Sequence, residues 1–211
     1  LASPAARAIG LFPTPLMHVS GVVDAEQLAQ LRQHLVPQAE TANHRAAGLS
    51  HTTILQPQGD AVLSRLITLV TPQFESFGEL LFGERLVWSV KEAWLNRLET
   101  GGQQGLHNHA NSLVSAVLYL TPVHDSAATV FVKPMGHAGY VFSNAHAGAA
   151  TNPFNADKWV MPAVAAGDMV LFPSHLLHEV PVNQGGQRLT LAMNAIPHRL
   201  DAWGYRIGLQ P

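Results

Sequence analysis

The sequence predicts a mainly β protein with flanking α-helices, an antiparallel barrel or jelly roll buttressed by N-terminal helices. Helical periodicity is confined to the first eighty or so residues, short strand-like runs follow in series after Gly83, and turn-forming residues separate those runs. Asp24 to Leu35 places Leu28, Leu31 and Leu35 on one helical stripe, with Asp24 poised as the N-cap. Asp60 to Leu81 reads as a second amphipathic helical region, with an interruption expected at Pro72. The strand candidates are Leu86 to Leu95, Leu113 to Leu120, Thr129 to Val132, Met169 to Phe172 and Arg188 to Ala195, with turn signals such as Asn183-Gln-Gly-Gly186 between them. Residues 134–162 are rich in Gly, Ala, Asn and Pro and too long for a simple turn, so they are expected to form an insertion near the barrel mouth. The expected organisation is one domain over residues 1–211, with a helical support region at 1–82 and the β core at 83–211.

Composition narrows the function classes. The chain is 47% hydrophobic and 12% charged, against a typical charged share of about 25%, which argues for a compact core and against disorder. The net charge of -2 is spread along the chain and leaves no electrostatic footprint for nucleic acid. With no cysteine, disulfides, thiolate metal sites and a cysteine nucleophile are excluded. Neither a signal-peptide core nor an apolar run of about 18 residues is present, so a cytoplasmic protein without a membrane partner is expected. Glycine-rich phosphate loops, the Gly-x-Ser-x-Gly elbow and the His-Glu-x-x-His helix are all absent.

Histidine is the outlier: its 12 copies equal Lys and Arg together. Before the apolar strand Leu113 to Leu120 stands Gly105-Leu-His-Asn-His-Ala-Asn-Ser112, where His107 and His109 face one side of an extended backbone and can present both rings to one metal. Random placement would give about 0.7 such pairs, so the pair alone decides little. A second tract, Gly167 to His178, runs through a short apolar strand and Pro173 to His175 and His178. The chain then turns at 183–187 and returns as Arg188 to Asn194. Such a hairpin would put His178 and Arg188 on neighbouring antiparallel strands, both pointing inward. A buried arginine without a counter-charge is costly, so an inward Arg188 implies an anionic partner; the bland alternative is a solvent-facing arginine. The remaining histidines are expected to be mostly surface residues, and Trp88 and Trp94, six apart, to be core.

These residues resemble the 2-oxoglutarate- and Fe(II)-dependent oxygenases, most closely a group of uncharacterised bacterial and phage members. The resemblance covers roughly Trp88 to Pro197 and rests on Trp94-Leu-Asn-Arg97, the His-x-His before Ser115-Ala-Val-Leu-Tyr-Leu120, Leu171-Phe-Pro-Ser-His-Leu-Leu-His-Glu-Val180 and Arg188-Leu-Thr190. It implies a double-stranded β-helix, Fe(II) held by His107, His109 and His178 as the catalytic metal ligands, and 2-oxoglutarate and O2 as co-substrates. Arg188, with Tyr119 and Thr190, would hold the far carboxylate of 2-oxoglutarate, and Asn96 would approach its near end. His178 rather than His175 fits, because only His178 keeps the ten-residue interval to Arg188. The substrate oxidised would be a small molecule or a peptide. His109 stands where the family usually has a carboxylate, which would make a neutral three-histidine triad. The nearest rival is a three-histidine cupin-type dioxygenase: Gly101 and His107-Asn-His109 match the start of the first cupin motif. However, Leu113 and Val114 replace its glutamate and His175 replaces the glycine after Pro173. A non-catalytic module binding a metal or an oxo acid is a second alternative.

Overall fold

The computed structural model describes residues 9–44, 46–133, 144 and 146–210. Its elements, in chain order, are β1 (Met17–Val19), α1 (Ala25–Leu35), β2 (Thr41–Ala42), β3 (Leu49–His51), α2 (Ala61–Phe82), β4 (Trp88–Leu98), β5 (Gln104–His107), β6 (Val114–Tyr119), β7 (Val130–Val132), β8 (Lys158–Val160), β9 (Met169–Pro173), β10 (His178–Val180), β11 (Arg188–Pro197), β12 (Arg199–Ala202) and β13 (Tyr205–Gly208). The start of the expected insertion, residues 134–143, lies outside the described residues.

Helix α1 begins at the cap expected from the sequence, and α2 follows the first residue of its expected region. Asp24 accepts the Gln27 N–H at 2.8 Å while the Gln27 side chain accepts the Asp24 N–H at 2.9 Å, a reciprocal capping box. Asp60 accepts the N–H groups of Val62 and Leu63 at the start of α2. The expected break at Pro72 does not occur: α2 runs from Ala61 to Phe82 without interruption. Pro72 lies on the exposed face, while Val70, Phe74 and Phe77 on the opposite face are fully buried. Burial of each such side chain contributes about 1.5–3 kcal/mol, which offsets the helical hydrogen bond that proline removes. The helix stops at Gly83, whose φ of 72° is a left-handed conformation favouring glycine.

The strands form three antiparallel sheets among the described residues, of seven, four and two strands. In the large sheet the order is β1-β9-β6-β11-β4-β3-β2, and in the smaller one β5-β10-β7-β8. This corrects the expected mainly-β barrel. The order resembles that of a double-stranded β-helix, but no described strand pairs across the two sheets, so they are not closed into a barrel. With α1 and α2 packed on the outer face of the seven-stranded sheet, the architecture is mixed α/β. The expected hairpin is corrected too. His178 on β10 and Arg188 on β11 belong to different sheets, and residues 181–187 cross between them. Asn183 anchors the crossing, its side-chain amide donating to Glu99 O and Gly186 O.

Alternation on the central strand β11 separates the two faces. Leu189, Leu191, Met193 and Ala195 join the helices in the main core. Arg188, Thr190, Ala192 and Asn194 point instead into the space between the sheets. On β4 the register to β11 skips Lys91, a β-bulge that reverses the alternation. Trp88 is therefore core, against Gly78 of α2, where an added Cβ would lie 2.4 Å from the indole. Trp94, which the sequence alone places with it, faces the other way. No helix of the described residues is long and apolar enough to cross a membrane.

Candidate metal centre

Strand pairing and the loop after β5 build the centre. His107 ends β5 and is the register partner of His178, the first residue of β10, so the two rings stand side by side on adjacent strands with centroids 4.2 Å apart. His109 lies in the loop after β5, whose path is fixed by its own N–H donating to Ser174 O at 2.9 Å and by Asn111 in a left-handed conformation at φ 56°. One nitrogen from each of His107, His109 and His178 lies within 4.8 Å of the others. His175 is exposed, whereas His178 is buried against Phe172 at 4.9 Å.

The electrostatics favour neutral rings. Burial, reinforced by the His107 charge, pushes His178 down to about 3 and His109 down to about 4. Burial also lowers His107. His107 Nδ1 donates to Gly105 O at 2.8 Å and His178 Nδ1 donates to Leu176 O at 2.9 Å, which puts the lone pair of each ring on Nε2, where it faces the Gln104 amide in one case and His109 in the other, each at 3.3 Å. Arg188 contributes in a smaller way to holding His178 neutral, a sign that the guanidinium and the ring share one electrostatic environment.

Arg188 itself is 4% exposed, and its Nε has no hydrogen-bond partner. Its Nη groups donate to two neutral hydroxyls, Thr190 Oγ1 at 3.3 Å and Thr129 Oγ1 at 3.2 Å, and its Cζ lies 5.5 Å from the Tyr119 ring centroid. Burial pulls the guanidinium below its ordinary value, yet no carboxylate forms an ion pair with it among the described residues. A buried arginine with an orphaned donor and only neutral partners has the donor chemistry that suits an anion. Tyr119, Thr190 and Arg188 are thus brought together, and Asn96 sits opposite Thr190 on β4, 7% exposed. An open cleft of about 150 Å³ beside this cluster is lined by Tyr119, Thr129, Val123, Ala128, Met161 and Val164 among others, and by none of the three histidines.

Four residues of the centre escape the sequence reading. Asn194 and Glu92 stand behind His109, and Trp94 lies against its ring at 5.6 Å. Asn194 could have been found by stepping two at a time from Arg188 along β11. Thr129 has no local signal, because its contact with Arg188 spans the gap between sheets. Of the other histidines, His18 and His34 pair with Asp168 and Asp60, and His137 lies outside the described residues.

Residues 92–194 match the family described as "Putative 2OG-Fe(II) oxygenase". The structure of HygX from Streptomyces hygroscopicus with nickel and 2-oxoglutarate bound is similar at a TM-score of 0.63 and 15% identity, covering 87% of this chain and 83% of HygX. The chain has the fold of the 2-oxoglutarate/Fe(II) oxygenases. The non-haem α-ketoglutarate-dependent epimerase SnoN from nogalamycin biosynthesis matches at a TM-score of 0.63 and 16% identity, covering 88% of this chain and 80% of SnoN. An oxidoreductase of the 2OG-Fe(II) oxygenase family from Burkholderia pseudomallei matches at 0.58 and 16%, covering 85% and 83%. No curated protein matches in sequence.

Proposed function

We propose that this chain is a 2-oxoglutarate/Fe(II)-dependent oxygenase acting on a small-molecule or peptide substrate. One observation supports it above the rest: a buried cation lacking an anion, Arg188, lies in the same inter-sheet space as three convergent neutral imidazoles. A metal bound only through histidines does not require that arginine, whereas a dicarboxylic co-substrate held by its far end does. The cupin reading and the plain metal-binding reading leave Arg188 without a partner.

The residues fit the group they would hold. His107 and His178 offer Nε2 lone pairs with their tautomers fixed by backbone carbonyls, and His109 lies within reach of the same point. Arg188 would grip the C5 carboxylate of 2-oxoglutarate through Nε and an Nη, with the Tyr119 and Thr190 hydroxyls alongside. Asn96, two residues from Trp94 on the same face, would meet the near end. Phe131 and Phe172, ring centroids 5.1 Å apart, form an apolar wall beside His178 that excludes water. Iron and 2-oxoglutarate, when bound, supply O2 activation coupled to oxidative decarboxylation; the chain orients and desolvates. The test is succinate formation from 2-oxoglutarate by the Fe(II)-loaded protein. Turnover should disappear in His178→Ala and in Arg188→Ala. A wild-type protein that loads iron yet binds no 2-oxoglutarate at millimolar concentration refutes the proposal.

A further inference from the structure

The three histidines are not equivalent. The rings of His107 and His178 each place their proton on Nδ1, donating to Gly105 O and Leu176 O. The Nδ1 of His109 faces the side-chain nitrogen of Asn194 instead, at 3.4 Å. Two contacts on the far side set the orientation of that amide. Asn194 Nδ2 donates to Glu92 Oε2 at 3.0 Å, and Asn194 Oδ1 accepts from Ser115 Oγ at 2.8 Å. Turning the amide over would press Oδ1 against the Glu92 carboxylate, two acceptors with no proton between them. Glu92 stays in place because Lys91 Nζ donates to its other oxygen, Oε1, at 2.6 Å. The second Asn194 N–H is therefore offered to His109 Nδ1, which accepts it. A neutral ring that accepts at Nδ1 carries its proton on Nε2, and that nitrogen lies 3.3 Å from His178 Nε2, itself an acceptor. From Glu92 through Asn194, His109 and His178 to Leu176 O, each link has one donor and one acceptor.

A ring nitrogen bearing a proton has no lone pair for a cation. We propose that Asn194, oriented by Glu92, is a positioning residue that locks His109 in the tautomer unable to ligate through Nε2, so that His109 is a conditional third ligand. The inference rests on the oxygenase reading for the metal itself. His107 and His178 hold the metal, and His109 joins when the amide turns and its own proton moves to Nδ1. This goes further than the missing carboxylate: the position that is usually an obligatory anion becomes a neutral ligand under the control of an amide.

The test uses two isosteric changes. In Glu92→Gln the one remaining oxygen is claimed by Lys91 Nζ, which puts an NH2 donor where Oε2 accepted from Asn194, so Asn194 turns Oδ1 toward it and toward a His109 Nδ1–H. Asn194→Asp fixes that tautomer outright. It is made together with Glu92→Gln, because alone it would set two carboxylates in contact. Nitrogen NMR of the ring in chelator-treated protein reads the tautomer, and calorimetry with Co2+ reads the affinity. Wild type should show His109 protonated on Nε2, with His107 and His178 protonated on Nδ1. The double variant should show all three protonated on Nδ1 and bind Co2+ about tenfold more tightly, in keeping with the 10–100-fold reach of groups behind metal ligands. Glu92→Gln alone should also tighten binding, the opposite of what losing a nearby negative charge would do by simple electrostatics. A wild-type His109 already protonated on Nδ1, or variants that bind Co2+ no more tightly than wild type, would overturn the proposal. Failure of every form, wild type included, to bind Co2+ would overturn the metal reading and this inference with it, whatever the NMR shows.

Discussion

Replacing Arg188 with methionine is expected to change the stability of the protein without 2-oxoglutarate by no more than about 2 kcal/mol, and to abolish the stabilisation that 2-oxoglutarate provides. The guanidinium is 4% exposed and its Nε is unpartnered, so it is held out of water without a compensating charge. Exchanging buried ionic groups for apolar side chains of similar volume is typically neutral or stabilising by about 1–4 kcal/mol. Against this, methionine loses the hydrogen bonds to Thr190 and Thr129, each contributing about 1 kcal/mol. The net lies within about 2 kcal/mol of wild type in either direction, or within about 8 °C in Tm for a chain of this size. In the wild type, 2-oxoglutarate at about a hundred times its Kd should add about 2.7 kcal/mol, a rise of roughly 5–11 °C. Scanning calorimetry of metal-loaded protein, with and without 2-oxoglutarate, measures both. An Arg188→Met variant that melts well below wild type and keeps the full ligand-induced rise would show the arginine to be structural, and the argument from its isolation would fail.

Three further outcomes follow from the geometry. Metal content should collapse in His178→Ala and survive in His175→Ala, measured by metal analysis after dialysis, because His178 is buried among the other rings and His175 is exposed. Since burial holds His178 at about 3 and His109 at about 4 in the folded protein, against about 6.5 for an ordinary histidine, the unfolded chain binds more protons between those limits. Their contribution to stability is therefore full above about pH 6.5 and is lost as pH falls toward 3–4, at up to about 1.4 kcal/mol per pH unit for each ring. Urea unfolding in chelator at pH 5 and pH 7 should show this loss, and His178→Gln should flatten it; identical pH dependence in the variant would contradict it. Gly78→Ala should destabilise by about 1–3 kcal/mol despite alanine's better helix propensity, because the new methyl meets the Trp88 indole at 2.4 Å; denaturant unfolding decides the sign.

What the sequence shows is local, and what it hides is long-range. Asp24 announces its helix because a cap is satisfied within three residues. His107 and His109, two apart, and the ten-residue step from His178 to Arg188 are equally legible, and the structure brings all four into the space between the sheets. Pro72 misleads because helix propensity says nothing about Phe74 and Phe77, whose burial holds the helix together around it. Trp94 misleads because a single bulge at Lys91 reverses every face assignment on one side of it, and the sequence carries no mark of that bulge. The barrel misleads for the same kind of reason. Period-two patterning says which face a residue takes but not which strand it pairs with, so seven and four strands in two open sheets look like one closed sheet. Thr129 and Glu92 matter only through partners 59 and 102 residues away.

The most direct test of the account is the structure of the protein with Ni2+ and 2-oxoglutarate, using anomalous scattering to place the metal. Nickel is expected on the Nε2 atoms of His107 and His178, with the far carboxylate of 2-oxoglutarate on Arg188 Nε and an Nη, beside the hydroxyls of Tyr119 and Thr190. A metal away from these rings, or a 2-oxoglutarate that leaves Arg188 Nε without a partner, would contradict it.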